Sequence, residues 1–455
     1  MNLEVIILAA GQGTRMKSSL PKVLHKVAGR PLLEHVVRAA QELEPLAIHV
    51  VVGHGAAQVE AALAAYPLRW VLQAEQLGTG HAVLQAMPAI AQDSTVLVLY
   101  GDVPLLGSAT LKRLVEKAQR APALLTAVVE NPYGLGRIIR GERGVLLEVV
   151  EEKDATDKQR LIEEVNTGVL AAPAADLCEY LPQVGSDNKQ GEYYLPDILS
   201  LAVEAGKTIG SCEASSELEV QGVNDRAQLN QVEREYQRLQ ANELMREGVS
   251  IADSNRLDIR GSLCCGDDVS IDVNVVIEGR VELGSGVTIG PNCVLIDVAV
   301  ADGASIHAFS HLQDCVVGKD CSVGPYARLR PGTTLGEAAR VGNFVEMKKS
   351  TIGAGSKVNH LSYVGDCEMG DGVNIGAGTI TCNYDGVNKS KTEIGNGVFV
   401  GSNSTLVAPV TIAEGGFVGA GSTVTRAVGK NELAVSRARQ KNIHGWQRPT
   451  KKAGD

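Results

Sequence analysis

From about residue 251 to 436 an aliphatic side chain returns at every sixth position. One run is Val317, Val323, Leu329, Leu335, Val341 and Met347, and another is Ile394, Val400, Leu406, Ile412, Val418 and Val424. Glycine follows many of them. This hexapeptide period is the signature of a parallel β-helix, in which each hexad forms one short flat side and sends its aliphatic residue into the core. Three hexads close one triangular coil, so the segment supplies roughly ten coils, a prism about 50 Å long at the ~4.8 Å strand spacing. The period falters at 380–393, ITCNYDGVNKSKTE, an insertion that cannot be one flat side.

Composition changes along the chain in step with that pattern. Of 50 glycines, 20 lie in the first 250 positions and 30 in the remaining 205. A chain of 455 residues has room for roughly three domains, and the shift divides it into two architectures. With 43 Lys and Arg against 53 Asp and Glu, the formal net charge is -10, which argues against nucleic acid or an anionic membrane as partner. The start, MNLEVIILAAGQG, has neither a basic leader nor an A-x-A cleavage site, so it reads as a strand rather than a signal peptide. No apolar run approaches about 18 residues, so no membrane insertion is expected. Nine cysteines without a C-x-x-C pair read as reduced thiols, and the expected location is cytoplasmic.

From Leu3 to about Val223, apolar runs such as Val5–Leu8, Ile48–Val52, Val96–Leu99 and Leu124–Val129 alternate with segments of helical period such as Leu32–Leu43. That rhythm predicts an α/β domain with a mostly parallel sheet covered on both faces, whose ligands bind beyond the carboxyl ends of the strands. The first strand runs into LAAGQGTRM. Gly11 and Gly13 permit a tight turn with exposed N–H groups able to cradle phosphate, and Arg15 and Lys22 bring cations close by. Met16 occupies the third glycine position of G-x-G-x-x-G, and G-x-x-x-x-G-K-[ST] is absent, so neither named phosphate loop applies. A glycine turn with two solvated cations is the plain alternative.

LAAGQGTRM with LPKVL resembles the signature of sugar-phosphate nucleotidyltransferases, and one branch of that family is matched further on. The matching segments are QAEQLGTGHAV (73–83), YGDVPLL (100–106), GLGRI (134–138), VEEKDA (150–155), NTG (166–168) and GVNDR (222–226). The resemblance implies a Rossmann-like domain that binds nucleotide through Leu8, Ala9, Ala10, Gly11 and Gly13. It implies uracil recognition by Gln73, Gly78 and Thr79, and phosphate binding by Lys22 and Arg15. Asp102 and Asn224 would hold Mg²⁺, and Tyr100, Gly101, Gly136, Glu151 and Asn166 would line the sugar side. Leu135 stands where relatives often carry tyrosine.

Residues 224–247 place Leu229, Val232, Tyr236, Leu239 and Leu244 at near-helical spacing among polar residues, with Gly248 as a stop. The expected organisation is a first domain at 1–225, a linker helix at 226–250 and a β-helix domain with a tail at 251–455. The repeats resemble the left-handed β-helix of hexapeptide acyltransferases. Arg330, Lys348, His360, Tyr363, Asn374 and Lys389 match the substrate residues of one acetyltransferase, with His360 as its general base. Ala377, Asn383, Tyr384, Ser402, Ala420 and Arg437 match its acetyl-CoA contacts. Taken whole, the chain is similar to the bacterial bifunctional N-acetylglucosamine-1-phosphate uridylyltransferases and glucosamine-1-phosphate N-acetyltransferases. That resemblance implies substrates glucosamine 1-phosphate, N-acetylglucosamine 1-phosphate, UTP and acetyl-CoA, a homotrimer built through the β-helix, and a product used for peptidoglycan and lipopolysaccharide. Alternatives are a single-activity nucleotidyltransferase with a regulatory β-helix and a non-enzymatic assembly subunit. His307 and His311, four apart on β-hexads, read as structural rather than as a zinc site. Cys264 and Cys265 read as ordinary thiols, and the tail from Arg448 as disordered.

Overall fold

The computed structural model describes residues 2–451, and the last four positions of the expected tail lie outside them. The chain forms two compact units, Met1–Leu239 and Gln240–Asp455. The division falls within one 21-residue helix, Arg226–Arg246, which Gly248 follows at φ +101°.

In the first unit the sheet order is Gly210–Glu213, Ala123–Val128, Glu164–Pro173, Thr95–Tyr100, Leu3–Ala9, Ala47–Val52 and Arg69–Leu72. Along this path the strands are parallel except Glu164–Pro173, which runs antiparallel to both neighbours, and off it Arg137–Arg140 pairs antiparallel with Glu164–Pro173 and with Leu146–Val150. The central strands are apolar on both faces because both faces are covered. Val5, Ile7, Leu97 and Leu99 pack into the core on one side, and Ile6, Val96 and Val98 into the core on the other. Helix Leu32–Gln41 buries Leu33, Val36, Val37 and Ala40, an i, i+3, i+4, i+7 stripe, against the first of these cores. The runs at Leu3–Ala9 and Thr95–Tyr100 are paired in register, Leu8 with Tyr100, so their carboxyl ends open at the same edge.

The second unit is a parallel β-helix. One flat side is an 11-stranded parallel sheet, and the other two form a 15-stranded sheet. All twelve aliphatic residues that define the hexad period are buried, none above 4% exposed. Successive coils pair Val323 with Val341, Val341 with Val358, and Ile375 with Val400. The steps are 18, 17 and 25 residues, and the long one contains the interruption, whose ends Ile380–Cys382 and Thr392–Ile394 stay in the ladder while the residues between them leave it as a loop closed by a bridge between Tyr384 and Lys389. Backbones approach closely inside this stack. A Cβ on Gly261 would collide with the carbonyl oxygen of Gly279, so only glycine fits there.

Candidate functional sites

Distant parts of the chain meet at the carboxyl edge of the first unit's sheet. The turn after Thr95–Tyr100 is tied to the first strand by Gly101 N donating to the Leu8 carbonyl at 2.9 Å. Val223 N donates to the Asp102 carbonyl at 2.9 Å, which sets Asn224 beside Asp102. Lys22 reaches both, pairing with the Asp102 carboxylate and donating to Asn224 Oδ1 at 3.2 Å. Arg15 Nη2 donates to the same Asn224 oxygen at 2.9 Å. Gly13, at φ +62°, is required here, since a Cβ would lie 2.6 Å from that of Lys22.

A cavity of about 230 Å³ opens over this edge. Leu8, Ala9, Ala10 and Gly11 form one wall, Gln73, Gly78 and Thr79 a second, and Tyr100, Asp102 and Lys22 the floor. Gln73 is 3% exposed, and its Nε2 bonds the Gly78 carbonyl at 3.2 Å and His81 Nδ1 at 3.1 Å, which holds the side chain in one orientation. Burial pushes the Tyr100 phenol well above its usual range. Gly168 makes room for that ring, because a Cβ at its φ of +83° would stand 2.6 Å from it.

Next to Tyr100 the structure brings the sugar-side residues together. Asn166 N donates to the Gly136 carbonyl at 2.8 Å, and a Cβ on Gly136 would meet the Glu151 carboxylate at 3.0 Å. Burial, with the Asp197 and Asp154 charges behind it, raises the Glu151 pKa, and burial pushes Asp197 up to about 6. Asp197, Glu192 and Gln76 belong to this region but escaped the sequence reading. Gln76 lies inside the quoted QAEQLGTGHAV segment. Glu192 and Asp197 sit in a stretch pinned over the cavity by Gly80 N to Tyr193 O and Tyr193 N to Leu77 O, both 2.8 Å, and no local spacing signals such a contact.

Asp102 and Asn224 present two hard oxygens that already converge on a cation, the Lys22 ammonium. Among the described residues no cluster of three or more His, Cys, Asp or Glu is placed to bind a metal. A donor set of two oxygens suits Mg²⁺, which keeps waters and substrate phosphates for its remaining positions.

The second set lies on the β-helix and is far more open. Val341, Val358, Ile375, Val400 and Val418 are register partners in turn. Two places beyond each stand Asn343, His360, Ala377, Ser402 and Ala420, which therefore form one column. Arg437 Nη1 donates to the Ala420 carbonyl at 2.6 Å, which places it at the upper end. Around the next corner Arg330 pairs with Glu346 at 2.7 Å. Lys348 is half-buried, and its pKa is lowered first by Lys389 and then by Arg330, so three cations crowd one patch. A Cβ on Gly365 would lie 2.5 Å from the Tyr363 hydroxyl and 2.8 Å from Asn383 Nδ2, so these two side chains share that patch. Asn374 pairs with Lys357 in the ladder, and Tyr384 is 59% exposed on the loop. His307 bonds the Ser322 hydroxyl at 3.0 Å, and the nine cysteines are free thiols.

Fold and site together define a nucleotidyltransferase unit joined to a hexapeptide-repeat transferase unit. Family models agree: the MobA-like NTP transferase domain matches residues 5–167, the GMPPB C-terminal domain 259–343, and the bacterial transferase hexapeptide of six repeats 391–426. The "Bifunctional protein GlmU" of Marinobacter nauticus is 57% identical over 450 residues, covering 99% of this chain and 99% of that protein. The protein of the same description from Pseudoalteromonas atlantica is 56% identical, covering 99% of this chain and 100% of its own length. That from Legionella pneumophila is 53% identical over the full length of both. The chain belongs to the bifunctional GlmU family.

Proposed function

We propose that the chain makes UDP-N-acetylglucosamine in two reactions, one in each unit. The observation that carries this reading is that each unit gathers its own set of polar residues, Lys22, Arg15, Asp102 and Asn224 in one and the His360 column with its three cations in the other.

On the β-helix the amine of glucosamine 1-phosphate attacks the thioester carbonyl of acetyl-CoA. The C–N bond forms, the C–S bond breaks, and the amine proton passes through His360 to the departing thiolate. Arg330, Lys348 and Lys389 hold the sugar phosphate, with Tyr363 and Asn374 orienting the sugar. The coenzyme lies along the small residues Ala377, Ser402 and Ala420, with Asn383, Tyr384 and Arg437 at its margins. In the first unit an oxygen of the sugar phosphate attacks the α-phosphorus of UTP in line, and pyrophosphate leaves. Lys22 and Arg15 stabilise charge on the phosphates. Mg²⁺ held by Asp102 and Asn224 would neutralise further phosphate charge. Gln73, Gly78 and Thr79 hold the base, and Glu151 and Asn166 the acetylated sugar.

The β-helix site is completed by neighbouring copies in a homotrimer. Support comes from an apolar corner beside the His360 column, where Phe309, Tyr326, Phe344 and Leu361 are each about half exposed or more and the rings stack at 4.9 and 5.2 Å. Such an edge calls for cover. No described helix is long and apolar enough to cross a membrane, and we place the enzyme in the cytoplasm, where both nucleotide and acetyl-CoA are made. The test is to mix the protein with glucosamine 1-phosphate, acetyl-CoA, UTP and Mg²⁺ and to follow products by mass spectrometry with each component omitted in turn. UDP-N-acetylglucosamine that requires all four supports the reading. Product formed only when N-acetylglucosamine 1-phosphate is supplied would leave the uridylyltransferase and remove the acetyltransferase.

A further inference from the structure

The column that carries His360 continues one coil below it to Asn343, a residue outside every motif used above. The two are backbone partners in adjacent strands, and their side chains meet, with imidazole Nδ1 3.0 Å from Asn343 Oδ1. An amide oxygen only accepts, so this hydrogen bond exists only when Nδ1 carries the proton, and the ring's lone pair is then on Nε2. The backbone under the ring is fixed as well. The His360 carbonyl accepts from Ser362 Oγ at 2.8 Å and from Gly378 N at 3.2 Å, and the chain turns the corner at once through Leu361 at φ +50°.

We propose that Asn343 is the positioning residue of the acetyl-transfer base, selecting the Nδ1–H tautomer of His360 so that Nε2 is the atom that takes the amine proton. The inference rests on the reading of His360 as that base. Its logic is chemical. An unheld neutral imidazole divides its time between two tautomers, and the form protonated on Nε2 cannot accept a proton there. A carboxylate at position 343 would fix the same tautomer but would also favour the protonated ring, which cannot act as a base near neutral pH. A neutral amide fixes the tautomer without that charge. The ionisable groups on the strands packed about the ring are Arg340, Lys357, Glu346, Lys348 and Tyr363, and neither the Asn343 strand nor the His360 strand carries a carboxylate.

The test uses the full-length chain carrying Asn343→Ala or Asn343→Asp, with His360→Ala as reference, and measures both reactions on each. Asn343→Ala is expected to lower kcat for acetylation about tenfold to a hundredfold. KM for glucosamine 1-phosphate and acetyl-CoA should stay within about twofold, with uridylyl transfer unchanged. Asn343→Asp restores the acceptor but adds charge, so its activity should return at higher pH, with the acidic limb of the kcat profile moved up by about one unit. An unchanged kcat in Asn343→Ala, a loss confined to KM, or an unmoved limb in Asn343→Asp would overturn the assignment. Should Asn343→Ala fail to fold, the limb in Asn343→Asp decides alone. Acetylation that survives His360→Ala would instead remove the base reading, and the tautomer proposal with it.

Discussion

In the first unit Lys22 and Asn224 stand 202 positions apart in sequence, yet Asn224 bonds the Lys22 ammonium, which lines the cavity with Asp102. In the β-helix Asn343, His360 and Ala377 stand one coil apart, touch only their neighbours in the stack, and remain on an open face. The difference follows from topology. Crossover connections in an α/β sheet return every strand tip to the same edge, where distant residues converge and shield one another from water. A solenoid coil meets only the coils above and below it, so it can align a column of side chains but cannot fold a wall over them. The first unit therefore walls its own site, whereas the second leaves its column on an open face.

The largest effects should separate the two sites completely. Asp102→Ala is expected to lower uridylyl transfer by about a thousandfold or more and to leave acetylation within about twofold. His360→Ala should lower acetylation by about 10²–10⁴ and spare uridylyl transfer, both read by product assays on the same preparation. Loss of both activities in either folded variant would break the contrast. Next in size is a core truncation in each unit. Leu329→Ala and Leu97→Ala remove fully buried side chains, each at about 2–5 kcal/mol, and denaturant melts should show each destabilising the unit that contains it.

How much of this was legible in the sequence depends on whether spacing maps onto contact. It does in the β-helix, where the sixth-position aliphatics are the buried ones and a break in period marks the loop. Asn343 was missed because an asparagine in VGNFVE is ordinary until the register shows that its partner is His360. In the first unit, periodicity found strands and helix Leu32–Gln41, but the antiparallel run of Glu164–Pro173 is invisible to it, since a buried strand reads alike in both directions. Asp102 and Asn224 were legible only through motif resemblance, because the Val223 to Asp102 hydrogen bond that joins them depends on tertiary topology. Asp197 escaped both routes. It carries no motif, and its proximity to Glu151 exists only after the 188–197 stretch has folded over the cavity.

Asp197 supplies a smaller test on the enclosed side of the comparison. Its pKa is raised by burial from 3.8 to about 6. Between those values the folded state holds a proton that the unfolded chain has released, so stability falls as pH rises through this window and stays reduced above it. Asp197→Asn should remove that loss, narrowing the difference between denaturant midpoints at pH 4.5 and pH 7.5. An unchanged difference would show that the carboxyl ionises freely. The smallest effect concerns thiols. Burial pushes Cys315 and Cys367 up to about 12, so a thiolate-selective reagent at pH 8 should label exposed Cys178 and Cys264 and spare those two until the β-helix unfolds.

The central claim, one reaction in each unit, is tested most directly by complementation. Asp102→Ala and His360→Ala chains, each inactive alone for the full conversion of glucosamine 1-phosphate to UDP-N-acetylglucosamine, are mixed and the product is followed by mass spectrometry. Restored formation of UDP-N-acetylglucosamine, with N-acetylglucosamine 1-phosphate appearing as the intermediate released between them, is the predicted result. A mixture as inactive as either variant, with both folded, would contradict it.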